Sequence, residues 1–167
     1  MNTNLIESAF FDSYFVAPKS INMKNLSYVF GFNETTATAD PSTISLHNLV
    51  DRLMDSFIPL AVAKNSFIVN DVDAAFDIQA DEQVLAFVVG NLLSNVVSSS
   101  KSVCIRVEAI RKENGIQLKV RNNGAFFYST VAHSFAPVLE AAKQLGGSIN
   151  IYNQKNEGTV ITFSMAA

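Results

Sequence analysis

A chain of 167 residues has room for one domain with a sizeable core. Charged residues make up only 16% against 49% hydrophobic ones, which implies an apolar or partner-covered surface, and a net charge of -3 gives no general attraction to nucleic acid. There is no apolar run of roughly 18 residues and no basic N-terminal start, so neither a membrane span nor a signal peptide is expected.

Residues 1–42 read as an aromatic-rich arm and linker. The arm carries Phe10, Phe11, Tyr14, Phe15, Tyr28, Phe30 and Phe32. So many rings imply packing against the rest of the chain or against another subunit. The arm closes in the polar turn chemistry of Asn33-Glu-Thr-Thr-Ala-Thr-Ala-Asp-Pro-Ser42. Residues 43–167 form the main domain. A helix is predicted over 45–64, with Leu46, Leu49, Val50, Leu53, Met54 and Phe57 on one face and Pro59 kinking or shortening it. Residues 66–69 and 74–78 read as short strands joined by a turn at Asn70-Asp71.

A mostly buried helix follows over 81–99. Val84, Leu85, Val88, Val89, Leu92, Leu93, Val96 and Val97 recur at helical spacing. Asn91 and Asn95 lie one turn apart on the other face, and Ser98 continues the row. Asparagine is a poor helix former, so two stacked amides imply a polar stripe able to hold a metal ion or phosphate. The bland alternative is amides that cap or bridge backbone.

Strands are predicted over 103–110 and 116–121, around the turn Lys112-Glu-Asn-Gly115. The only cysteine, Cys104, falls in the first of these, where a small buried apolar role is expected; a lone cysteine also fits a reducing cytoplasm. A helix over 135–145 stops at Gly146-Gly147, and a hairpin over 148–152 and 159–165 turns at Asn156-Glu-Gly158. Helices segregated from a mainly antiparallel sheet predict a two-layer α+β sandwich.

Four segments, in order, resemble a known family. Asn91-Leu-Leu-Ser-Asn-Val96, ten residues after Asp81, is similar to the asparagine box of the histidine-kinase catalytic domain, the GHKL type of ATPase. Ser45-Leu-His-Asn-Leu-Val-Asp-Arg-Leu53 resembles its first helix, and Val120-Arg-Asn-Asn-Gly124 its Val-x-Asp-Asn-Gly element. Leu145-Gly-Gly-Ser-Ile-Asn-Ile151 with Glu157-Gly-Thr-Val-Ile-Thr-Phe163 resembles its last helix and closing hairpin. The resemblance implies a mixed, mainly antiparallel sheet covered on one face by helices. It also implies a site for Mg-ATP or ADP, with Asn95 at the metal position and Asn91, Asn122, Gly124 and Thr159 around the nucleotide.

The departures from that pattern all lie on the ligand side. Asn122 stands where the family has an Asp that accepts from the adenine amino group, which removes the charge-assisted part of that bond. Phe126 replaces a glycine where backbone should approach the ligand. Only residues 125–145 separate Gly124 from Gly146, so the glycine-bearing lid is essentially absent. Ala132-His-Ser-Phe135 replaces its closing Gly-Leu-Gly-Leu. Ser134 suits a helix N-cap that binds an anion weakly, with His133 nearby. Ser98 replaces the usual Lys, and Lys101 lies beyond the helix end. His47 and His133 are the only histidines, and neither lies on a helical hairpin before the domain, where a kinase keeps its phosphoacceptor. Asp71/Asp73 and Asp81/Glu82 suit a turn and a helix start. No Ser-His-Asp order, zinc spacing, P-loop or nucleic-acid motif occurs.

The expected function is a degenerate ATP-binding-type domain acting as a regulatory or interaction module in cytoplasmic two-component signalling. A response regulator or histidine kinase is the expected partner, a homodimer is a further option, and phosphoryl transfer by this chain alone is not expected. The alternatives are a functional sensor-kinase catalytic domain with a shortened lid, an anti-sigma-factor-type switch kinase, and a phosphotransfer protein built on an inactive kinase domain.

Overall fold

Proline chemistry divides the first helical region. The computed structural model describes residues 41–124, 136–154 and 158–166. The aromatic arm, Phe126, His133, Ser134 and the turn residues Asn156 and Glu157 lie outside them. One interrupted helix was expected over 45–64. Two are observed, α1 (Leu46–Asp55) and α2 (Ile58–Ala63). A proline ring clashes with the carbonyl four residues back, here that of Asp55. The helix therefore ends at Asp55, and Pro59 enters the first turn of α2, where its missing N–H costs nothing. Ser45 caps α1, its hydroxyl accepting from Asn48 N at 3.4 Å. Leu46, Leu49, Val50, Leu53 and Phe57 are fully buried.

The two short strands expected around a turn at Asn70-Asp71 do not pair with each other. β2 (Phe67–Asn70) and β3 (Asp77–Ala80) belong to different sheets. β3 pairs antiparallel with β1 (Ser42–Ser45), a strand that had read as linker and helix start. The link has its own turn chemistry: Asn70 Oδ1 accepts from Val72 N, and Asp73 Oδ1 accepts from Ala75 N. Asn70 Nδ2 donates to His47 O and to Asp51, which fixes the end of β2 to α1. Val72 and Phe76 then bury, so the link carries core residues of its own. His47 is a packing residue here, with Nδ1 2.6 Å from Val72 O and Nε2 3.3 Å from Asp51 Oδ2.

α3 (Glu82–Ser99) is the central helix. Asp81 caps it, accepting from Gln83 N at 2.9 Å and Val84 N at 3.1 Å. Arg52 of α1 pairs with Glu82 at its start, and Lys64 Nζ donates to Ser98 O near its end at 2.7 Å. The remaining elements are β4 (Cys104–Lys112), β5 (Gly115–Asn122), α4 (Ala136–Gln144), β6 (Gly147–Gln154) and β7 (Gly158–Ala166). The main sheet has the order β2-β4-β5-β7-β6, with β2 parallel to β4 and every other pair antiparallel.

One face of that sheet carries Ile105, Val107, Leu118, Val120, Ile161 and Phe163 and is buried beneath the helices. The core is thus an α+β sandwich, as the sequence predicts. The opposite face carries the ion pairs Arg106–Asp71 and Arg121–Glu108. Beside Asp71, through hydrogen bond and charge, the Arg106 guanidinium is held even more firmly protonated than usual. Cys104 corrects its expectation: it is half-exposed. Strand alternation sends its neighbours Val103 and Ile105 inward and Cys104 to the opposite face.

Candidate functional site

The polar stripe on α3 exists, and it is partly turned in on itself. After its first turn, α3 is half-buried at Asn91, Ser94, Asn95 and Ser98, exposed at Ser99 and buried elsewhere. Asn91 Nδ2 donates to Phe87 O, and Asn95 Nδ2 to Asn91 O, each at 2.7 Å. Ser99 Oγ donates to Asn95 O at 2.5 Å. This is the i−4 back-bonding open to short polar side chains within a helix. Each amide thus donates an N–H to the carbonyl of the preceding turn. Among the described residues no group of three His, Cys, Asp or Glu side chains could hold a metal ion.

At the end of β5 the inward row of apolar residues finishes in a polar one, Asn122. It is only 1% exposed and lies directly opposite Thr159 of β7, also 1% exposed. The Asn122 amide is used within the fold. Its Nδ2 donates to Ser100 Oγ at 2.7 Å, and its Oδ1 accepts from Gly124 N at 3.2 Å. Ser100 Oγ in turn donates to Val96 O at 2.5 Å. A three-bond chain therefore ties the end of β5 to the last turn of α3, one residue beyond Asn95. Gly124 sits against Val103, where a β-carbon would stand 2.6 Å from Val103 Cγ1.

Of the five predicted site residues, the structure brings Asn122, Gly124 and Thr159 together at one end of the sheet. Asn91 and Asn95 form a separate row on the helix that Asn122 joins through Ser100. Ser100 is the member the sequence reading missed. Three serines run in succession at 98–100, and nothing local marks the third as buried.

Thr159 is the exception to this internal satisfaction. Its Oγ1 is buried and has no hydrogen-bond partner. A buried unsatisfied hydroxyl costs about 1–3 kcal/mol. Thr159→Val, nearly the same shape without the hydroxyl, is expected to raise stability by about 1 kcal/mol, read by urea unfolding. A loss of stability would mean that the hydroxyl has a partner in solution.

No known protein-family profile matches the sequence, and no curated protein does. Solved structures match by shape. The catalytic domain of histidine kinase ThkA, in a nucleotide-free form, superposes with a TM-score of 0.64 at 17% identity, over 77% of this chain and 96% of that one. Histidine kinase AdeS of Acinetobacter baumannii gives 0.72 at 12% identity, over 99% of this chain and 86% of that one. The ATP binding domain of PrrB from Mycobacterium tuberculosis gives 0.63 at 16% identity, over 77% and 98%. At these identities the likeness establishes the fold: the chain has the histidine-kinase-like ATPase architecture.

Proposed function

We propose that this chain is a degenerate histidine-kinase ATP-binding-type domain that acts as a regulatory or protein-interaction module in two-component signal transduction. In this reading Mg-ATP or ADP is held weakly or not at all. The observation that carries it is the commitment of Asn122. At the position where the resemblance calls for an adenine acceptor, the amide donates to Ser100 and accepts from Gly124, buried at 1% exposure. A side chain occupied in this way has one acceptor lone pair left and no charge to offer.

The partner in this reading is a response regulator or a histidine kinase, and the setting is the cytoplasm. No helix of the described residues is long and apolar enough to cross a membrane.

One observation favours the alternative, a functional ATP-binding catalytic domain. The unpaired Thr159 hydroxyl beside Asn122 is what a ligand-facing donor looks like without its ligand. In that case Asn95 would hold the metal, and Asn91, Asn122, Gly124 and Thr159 would line the nucleotide.

A thermal-shift scan with ADP and ATP, with and without Mg, decides between the two readings. A ligand that binds the native state raises Tm by mass action. The expected result is no Mg-dependent rise at micromolar nucleotide, in the wild type and in Asn95→Ala alike. A clear Mg-dependent rise that disappears in Asn95→Ala overturns the degenerate reading and establishes the alternative.

A further inference from the structure

The two edges of the main sheet are protected very differently. At one end β2 is only four residues long, and the Arg106–Asp71 ion pair stands beside it. Short length and charge are the usual devices that keep an edge from pairing. At the other end β6 runs for eight residues, Gly147–Gln154, with the sequence GSINIYNQ. It contains no charged residue and no proline, and among the described strands it pairs only with β7. α4 packs on β6 but does not fully cover it. Ile149 and Ile151 are half-exposed on the helix side, and Tyr152 is 41% exposed on the opposite side.

An edge of this kind needs an extended strand as its occupant, because its outward N–H and C=O groups call for backbone partners. The strand is its own complement. Antiparallel pairing of two copies in the register centred on Asn150 sets Ile149 opposite Ile151 on the helix face. On the other face it sets Ser148 opposite Tyr152 and Asn150 opposite its own copy. Paired residues keep to the same face, as the pleat requires. No like charges meet, and the contact is isologous, so it closes at two subunits. We infer that β6 is a self-association edge, through which a second copy of this chain extends the sheet across a two-fold axis at Asn150. The inference does not depend on whether the chain binds nucleotide.

The test uses the full chain in a Cys104→Ser background. Asn150→Cys places two thiols at the two-fold axis, within disulfide reach for directly opposed strand residues. The expected result is a disulfide-linked dimer under mild oxidant, formed at least about tenfold faster than with Lys119→Cys, an interior-strand control on the same sheet face. Asn150→Lys sets two ammonium groups against each other there. It is expected to raise the dimer dissociation constant at least about tenfold in sedimentation equilibrium, with an unchanged circular dichroism spectrum. Both results are required. Linking no faster than the control, or dissociation unmoved by Asn150→Lys, overturns the inference. So does a wild-type chain that stays monomeric because a foreign peptide is the natural occupant.

Discussion

Gly158→Ala should unfold this protein far more readily than Gly146→Ala, lowering Tm by on the order of 10 °C. Two independent costs coincide at this residue. Its φ is +77°, in the left-handed region that L side chains avoid. A β-carbon there would also stand 2.0 Å from Asn122 O and 3.0 Å from Gly124 O. Both obstacles are backbone, so no side chain can swing aside. Strain and overpacking together come to about 2–5 kcal/mol. Gly146 supplies the control. Its φ of +65° is similar, but a β-carbon there meets nothing within 4 Å. Gly146→Ala should therefore cost only the conformational part, about 1–2 kcal/mol. Urea unfolding of both variants separates the contributions. Equal losses would mean that the β5–β7 junction gives way easily, contrary to a tight Asn122–Gly158 contact.

That junction also shows where local sequence stops being informative. The central helix was legible because its apolar spacing and its Asp81 cap are local signals. The β4–β5 hairpin was legible for the same reason, through its Asn114-Gly115 turn. β1 was not, because Ser42-Thr-Ile-Ser45 becomes a strand only by pairing with residues 77–80. The separation of β2 from β3 was missed because β2's partner, β4, lies more than thirty residues away and across the central helix. The site divides along the same line. The row of Asn91 and Asn95 follows from helix geometry alone, whereas the Asn122–Ser100 bond joins residues 22 apart and depends on burial that no pattern encodes. Motif resemblance singled out Asn122 but did not reveal that its amide is hydrogen-bonded within the fold.

Asn122→Asp tests how much of the nucleotide chemistry one residue can restore. Two effects are expected, and they oppose each other. The change removes the Nδ2 donor to Ser100 Oγ, and it places a carboxylate where the side chain is only 1% exposed. Ser100 can answer only by turning its hydroxyl from Val96 O toward the new oxygen, which gives up the bond that holds the last turn of α3. A net cost of about 1–3 kcal/mol follows, measurable by urea unfolding. In exchange the variant regains a charged acceptor for an adenine amino group. That component is worth about 1 kcal/mol, which is less than about tenfold in affinity. A nucleotide gets most of its hold from contacts to its phosphates, where the resemblance implies a shortened lid and replaced glycines. Asn122→Asp is therefore expected to leave Mg-ATP binding weaker than micromolar in isothermal titration calorimetry while destabilising the fold. Micromolar binding in the variant would show that a single missing charge silenced an otherwise intact pocket. The chain would then be a kinase domain one substitution from nucleotide binding, and the regulatory reading would have to be abandoned.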